Sequence, residues 1–373
     1  MRIGVPREIK NREYRVGLSP ASVRELTASG HDLIVEAGAG TAIGFTDAQY
    51  RAAGAKVVAR AETVFRQAEL VVKVKEPQAQ EIALLRPGQT LFTFLHLAPD
   101  KAQTQGLLKS GVTAIAYETV TDENGHLPLL TPMSEVAGKL SIQAGAHCLE
   151  MESGGRGVLL GGVAGTHRAK VVILGGGVVG TNAARVAVGV GARVSILDRS
   201  LARLRELAVE FGSSVSLLTA TAEVIEEEVA SADLVIGAVL LPGASAPKIV
   251  TREMIRGMAN GAAVVDVSID QGGCIETSRP TTHDNPTYVV DGVVHYCVTN
   301  MPGVVARTST LALNNATLPF VKALADQGVP AALEHDPHLL DGLNVHKGML
   351  TNKAVAAAQR RKFTEPLKAL GIG

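Results

Sequence analysis

The chain has 373 residues, 46% of them hydrophobic and 19% charged, with 36 basic and 36 acidic side chains and no formal net charge. That length favours two domains with a core each, and the balanced charge offers no attraction to nucleic acid or an anionic membrane surface. No uncharged apolar run approaches the roughly 18 residues of a membrane span. The three scattered cysteines, Cys148, Cys274 and Cys297, suit a reducing, cytoplasmic setting better than a disulfide framework or a paired-cysteine metal site.

The opening Met1-Arg-Ile-Gly-Val-Pro-Arg-Glu lacks the continuous apolar core of a signal peptide and reads as a first strand over 2–5. Strand-like runs follow at 31–36, 70–75, 90–96 and 112–118, with helical patterns between them at 19–29, 47–53, 62–67 and 100–110. Ser19 with Pro20 gives the first helix an N-cap and a proline at its first position. Such alternation implies βα units and a largely parallel sheet. Asn124-Gly125, Pro128 and Pro132 punctuate a linker, and 131–150 reads as one long helix with a small-residue face.

The next stretch, Lys170-Val-Val-Ile-Leu-Gly-Gly-Gly-Val-Val-Gly180, carries the most chemistry. A β-branched strand enters a turn with glycines at 175, 177 and 180, a helical pattern follows, and a second strand over 193–197 ends on Asp198. Gly175 permits the tight turn, Gly177 lets the backbone approach a pyrophosphate, and Gly180 lets the helix pack closely on the strand. Asp198 lies 23 residues beyond Gly175 (198 − 175), near the spacing expected of a carboxylate that binds ribose hydroxyls. This order predicts a nicotinamide dinucleotide site, with NAD preferred because Asp198 would repel a 2′-phosphate. Further strands are expected at 233–239 and 262–267, and Asp291-Gly292 marks a hairpin within 288–298. A helix is expected from 303 to 325, and the C-terminal segment is expected to return to the first domain. The predicted fold is α/β, with two Rossmann-like doubly wound domains joined by long helices. Residues 1–127 plus 308–373 form a discontinuous substrate domain and 128–307 the NAD domain.

Ligands of open parallel sheets bind beyond the carboxyl ends of the strands. Lys75, His96 and Asp270 each follow a predicted strand, and Arg15 sits in a basic loop after the first. Each has a plainer reading. His96 could be a core histidine, Lys75 a solvated strand end whose role Lys73 shares, Arg15 one arginine of a basic loop that composition alone leaves anonymous, and Asp270 a turn residue. Their convergence suits amino-acid oxidation: a guanidinium and an ammonium fix a carboxylate, a histidine exchanges protons near neutral pH, and a carboxylate stabilises a cationic intermediate.

The chain resembles the alanine dehydrogenase family over nearly its whole length. The resemblance is specific at the opening through Arg15-Val16, at Val-Lys-Val-Lys75-Glu-Pro, Phe-Leu-His96-Leu-Ala and Met133-Ser-Glu-Val-Ala-Gly. It continues at the glycine turn, at Asp-Val-Ser-Ile-Asp270-Gln-Gly-Gly, at Arg279-Pro-Thr-Thr-His and at Thr-Asn300-Met-Pro-Gly. The resemblance implies NAD-dependent interconversion of L-alanine with pyruvate and ammonia by a homohexamer. It implies Arg15 and Lys75 as carboxylate binders, Met133 and Asn300 as further substrate contacts, and His96 with Asp270 as the proton-transfer pair. Ser134, Gly175, Gly177, Val178, Val179, Gly180, Asp198, Arg203, Val239, Leu240, Val267, Ile269, Asp270, Arg279, Val298, Asn300 and Met301 would line the dinucleotide. No metal is expected, because Ala323 and Gln327 supply no ligand pair where some relatives bind one. The competing readings are a transhydrogenase-type NAD(H)-binding subunit, a saccharopine- or lysine-forming dehydrogenase and a non-catalytic NAD-binding protein.

Overall fold

A computed structural model describes residues 1–239 and 246–372, so Leu240 lies outside the described residues. The chain divides into two compact units, Met1–Met133 with Gly303–Gly373, and Ser134–Pro302. Both are mostly parallel sheets alternating with helices, an α/β Rossmann-like architecture.

The first unit contains strands β1 (Arg2–Val5), β2 (Asp32–Glu36), β3 (Lys56–Val58), β4 (Leu70–Val72), β5 (Thr90–Thr93) and β6 (Thr113–Ala116). They run in parallel in the order β6-β5-β4-β1-β2-β3. Strand Leu343–His346 adds antiparallel to the free edge of β6, so residues from the far end of the sequence complete this sheet. β4, β5 and β6 are buried along their whole length, as expected of central parallel strands covered on both faces. Phe65, Val71, Leu91, Leu107, Ala114 and Val345 pack in one cluster beneath them.

Three predicted strands of this unit end early, 112–118 stopping at Ala116. The run 70–75 stops as a strand at Val72 and 90–96 stops at Thr93, so the residues of interest lie just past the ladder. The short β3 and helix Ala79–Ile82 carry too little periodic signal to be read from sequence.

Helix Ala306–Gln327 of the same unit braces the loop that follows Arg15. Buried Asn314 accepts from the Ser19 amide (2.6 Å) and Ser22 hydroxyl (2.9 Å), and donates to the carbonyls of Gly17 (3.2 Å) and Val16 (3.4 Å). Asn314→Ala strips those partners in a site closed to water, with a cost of about 1–3 kcal/mol per group left unsatisfied. A urea titration is expected to show a lower midpoint at unchanged slope, and an unaltered midpoint refutes this bracing role.

The second unit holds β7 (Lys170–Leu174), β8 (Arg193–Asp198), β9 (Val215–Thr219), β10 (Leu234–Gly237), β11 (Ala263–Asp266), β12 (Thr287–Val290) and β13 (Val293–Tyr296). Their order is β12-β13-β11-β10-β7-β8-β9, parallel except for the β12–β13 hairpin. Asp291 (φ 49°) and Gly292 (φ 81°) connect that hairpin with two left-handed residues, as a type I′ turn requires. β9, half exposed at the sheet edge, is another strand the sequence pattern leaves unread.

Candidate active site

In the first unit Arg15 is 2% exposed despite its place in a basic loop. Its guanidinium is forked by Glu13, with Nε to Oε1 at 2.7 Å and the second terminal nitrogen to Oε2 at 2.6 Å. The other terminal nitrogen faces Met133 Sδ at 3.0 Å. Glu13 thus fixes the plane of the arginine and leaves one of its edges toward Met133, which is itself buried. Burial sets Arg15 apart from Arg7, Lys10 and Arg12 of the same loop, which composition alone cannot do.

Lys73 and Lys75 are both buried, so Lys75 is not the solvated strand end of the plainer reading. Alternation would place both on one face of a strand, but β4 has ended by Lys73. Lys73 is wholly buried, its Nζ donating to Glu8 Oε2 (2.9 Å) and Glu81 Oε1 (2.7 Å). Burial opposes its charge, yet the two carboxylates together raise its pKa above the ordinary value. Burial likewise pushes the Glu8 carboxyl up, with Lys73 opposing. Lys75 has its carbonyl held by the Thr93 hydroxyl at 3.0 Å.

His96 is exposed, which rules out the core-histidine reading. Its backbone is left-handed (φ 49°), and its amide donates to Glu118 Oε1 at 2.6 Å. The Leu95 amide reaches both Glu118 oxygens at 3.1 Å, and the imidazole stacks on Phe94 at 5.8 Å between centroids. Glu118 ends the predicted strand 112–118, so the strand-end argument that selected Lys75 and His96 could have found it too.

In the second unit Gly175 (φ 103°) turns the chain out of β7, and helix Val178–Gly189 starts with Gly177 as its cap. A Cβ on Gly180 would lie 1.8 Å from the Gly175 carbonyl oxygen, whereas one on Gly177 would meet nothing within 4 Å. The turn is therefore closed inwardly and open outwardly at a helix N-terminus, where first-turn amides lack helical acceptors, and this cradle fits a dinucleotide pyrophosphate. Val178 is exposed beside the opening, and Val179 is half buried. Asp198 accepts from the Gly176 amide (2.7 Å) and the Ser200 amide (2.8 Å), linking the acid at the end of β8 to the glycine turn. Arg203 donates Nε to Gly176 O (2.7 Å) and a terminal nitrogen to Thr181 Oγ1 (2.9 Å), so it braces the turn itself. Ser134 is half buried near the start of helix Thr131–Cys148.

Asp270 is exposed within a 3-10 turn, Val267–Gln271, rather than at the strand end proper. The buried strand-end acid is Asp266, which sequence reasoning passed over. It accepts from the amides of Ser268 (3.1 Å), Cys274 (3.0 Å) and Ile275 (3.2 Å), tying down the loop that carries Asp270. Burial pushes the Asp266 carboxyl up, while the Ser278 hydroxyl, the Ile275 and Cys274 amides and the charge of Lys248 pull it down. Ser268 Oγ donates to Val239 O at 2.7 Å, joining the ends of β10 and β11, with Ile269 buried and Val267 half buried between them. The Arg279 guanidinium lies over the Tyr288 ring at 4.2 Å. Val298 and Met301 are buried, and Asn300 between them is left-handed (φ 63°), its carbonyl paired with His283 Nε2 at 3.3 Å.

Comparison with known proteins places this geometry. The family described as alanine dehydrogenase/PNT, N-terminal domain matches residues 4–137, and alanine dehydrogenase/PNT, C-terminal domain matches residues 141–353. The chain is 57% identical to an alanine dehydrogenase of Halomonas elongata over 371 residues, covering 100% of both chains. It is 52% identical to an alanine dehydrogenase of Mycobacterium tuberculosis over 370 residues, 99% of this chain and 100% of that one. A solved L-alanine dehydrogenase superposes with a TM-score of 0.94 at 55% identity, covering 96% of this chain and 99% of that one. A transhydrogenase from Sinorhizobium meliloti is more distant, with a TM-score of 0.81 at 26% identity over 95% of this chain and 100% of that one. With two family domains matched in sequence order and relatives alike from end to end, the chain belongs to the alanine dehydrogenase/PNT family.

Proposed function

We propose that this chain catalyses the reversible, NAD-dependent oxidative deamination of L-alanine to pyruvate and ammonia, the first unit binding the amino acid and the second the dinucleotide. The observation that carries this reading is the strand-end rim of the first unit, where Arg15, Lys75 and His96 each stand on a backbone or fork held by a glutamate. A protein that only binds or senses NAD has no use for such a rim. The relatives named alanine dehydrogenase over their full lengths support alanine as the substrate.

The Arg15 guanidinium and Lys75 ammonium hold the substrate carboxylate. Met133 and Asn300 make further substrate contacts, Met133 near the substrate methyl. NAD, when bound, would supply the acceptor for a hydride from Cα. The glycine turn, Asp198, Arg203 and the 267–270 loop would hold it, with Ser134, Val178, Val179, Val239, Arg279, Val298 and Met301 as further contacts. Leu240 is part of the same expectation. His96 moves protons on and off the water that adds to the iminium carbon and on the departing amine, and Asp270 stabilises the cation. An assay that follows NADH absorbance is expected to show NADH formed from alanine plus NAD and consumed by pyruvate plus ammonia. Absence of both reactions overturns the assignment.

A homohexamer, a cytoplasmic location and a catabolic role belong to the same proposal. Three free, buried thiols support a reducing compartment, and no helix among the described residues is long and apolar enough to cross a membrane. Light scattering is expected to give six times the chain mass.

Cofactor choice rests on Asp198. Asp198→Ser removes the charge that repels a 2′-phosphate and leaves a shorter acceptor near the Gly176 amide. The ratio of catalytic efficiencies, NAD over NADP, is expected to fall at least tenfold, with some loss of NAD affinity as the glycine turn loosens. An unchanged ratio places cofactor selection elsewhere.

A further inference from the structure

β4 ends at Val72, yet the main chain of residues 73–75 is held at every polar group. The Lys73 amide donates to Phe92 O (3.1 Å), and its carbonyl accepts from the Tyr117 hydroxyl (2.9 Å). The Val74 carbonyl accepts from the Phe94 amide (3.2 Å), and the Lys75 carbonyl from the Thr93 hydroxyl (3.0 Å). The two remaining groups, the amides of Val74 and Lys75, both turn to Glu8 Oε1, at 2.6 Å and 3.4 Å. Lower down, β1 is the partner on this side, pairing Ile3 with Leu70 and Gly4 with Val71. β1 stops at Val5, before Pro6, and the Glu8 carboxylate takes over as acceptor where the β1 backbone has left the sheet.

The second oxygen of Glu8 is gripped by the buried Lys73 ammonium, and Glu81 Oε1 grips that ammonium in turn. Glu81 is itself fixed, its other oxygen capping the Gln78 amide (2.8 Å) at the start of helix Ala79–Ile82. Lys73 and Glu81 together leave Glu8 a single position. A chain of ionic hydrogen bonds therefore runs from a helix cap, through Lys73, to the backbone that carries Lys75.

We propose that Glu8 is the positioning residue of Lys75, its carboxylate clamped by Lys73 and replacing the missing strand so that the Lys75 ammonium is presented in one place. The proposal rests on the reading that Lys75 binds the substrate carboxylate. Lys73 gains a role under it: it is the counter-charge that makes a buried carboxylate usable as a backbone acceptor.

The test is a double-mutant cycle on the full-length protein. Glu8→Gln keeps shape and one acceptor but removes the charge that Lys73 clamps. It is expected to lower kcat/KM for alanine by about 10- to 100-fold, as a small misplacement of a binding group does, and to leave NAD affinity within about twofold. In a Lys75→Ala background the same change is expected to have almost no further effect, because the group it positions is gone. Equal losses from Glu8→Gln in both backgrounds, or parallel losses of alanine turnover and NAD affinity, overturn the proposal and leave Glu8 a stability residue. Near-normal alanine turnover in Lys75→Ala alone identifies failure of the underlying reading, and the positioning role falls with it. If Glu8→Gln does not fold, the triple change Glu8→Gln, Lys73→Met and Glu81→Gln, which leaves no buried charge in the cluster, serves in the same cycle, with the same expected loss and the same overturning results.

Discussion

Lys75→Ala is expected to lower the catalytic efficiency with alanine by about 30- to 5,000-fold, the equivalent of the 2–5 kcal/mol lost when one member of a charge-assisted pair is removed. The structure makes this a clean substitution. The backbone of residue 75 stays tied through its carbonyl to Thr93 and through its amide to Glu8, so the strand end is expected to survive the loss of the side chain. Lys73 cannot step in, since its ammonium is enclosed between two glutamates and turned away from solvent. NAD affinity, read by fluorescence titration, is expected to stay nearly intact, because the dinucleotide cradle is assigned to the other unit. A variant that turns over alanine at close to the parent rate would move the carboxylate site away from Lys75.

What the sequence made legible were the features set by local periodicity. Alternating strands and helices, the glycine turn with its distal acid, and the Asp291-Gly292 hairpin all follow from patterns a few residues long. The rule that ligands gather beyond strand ends then selected Lys75 and His96. The carboxylates that hold those residues were not legible, because the contacts are long-range. Glu8 meets the Lys75 backbone across 67 positions and Glu118 meets that of His96 across 22. Where the ladder stopped was equally hidden. Alternation through 70–75 puts Lys73 and Lys75 on one face, and it gives no sign that β1 leaves the sheet there and that Glu8 comes in to pair with the Lys73 ammonium. At β11 the same difficulty took another form. Asp266 and Asp270 open and centre the same motif, yet Asp266 is the buried acid that organises the loop and Asp270, four positions later, is the exposed one. Short or half-exposed edge strands such as β3 and β9 lack the contrast between faces on which a period-two reading depends.

His96→Asn is expected to lower turnover by about 100- to 10,000-fold, the usual contribution of one positioned acid or base, with folding and NAD binding retained. Asparagine is the informative replacement because residue 96 is left-handed at φ 49°, a conformation asparagine tolerates and most other side chains enter at a cost of about 1–3 kcal/mol. The backbone amide keeps its 2.6 Å bond to Glu118 whatever the side chain. The stability change is therefore expected to stay within about 1.5 kcal/mol, the range set by loss of the stacking on Phe94. A structural histidine would give the opposite pattern, a lowered melting temperature with the pH–rate profile unaltered in shape. If His96 exchanges the protons of water addition and amine loss, the profile of kcat/KM loses the limb that this group contributes, because the amide of asparagine does not titrate near neutral pH. Asp270→Asn serves as the companion. It too is expected to lose most turnover, but with some effect on NAD affinity, since Asp270 rides on the Asp266-braced loop assigned to the dinucleotide. Retention of the parent pH dependence and most of the rate in His96→Asn would pass the proton-transfer role to Asp270 or Lys75. The left-handed, Glu118-held backbone at residue 96 would then stand as a feature of the loop alone.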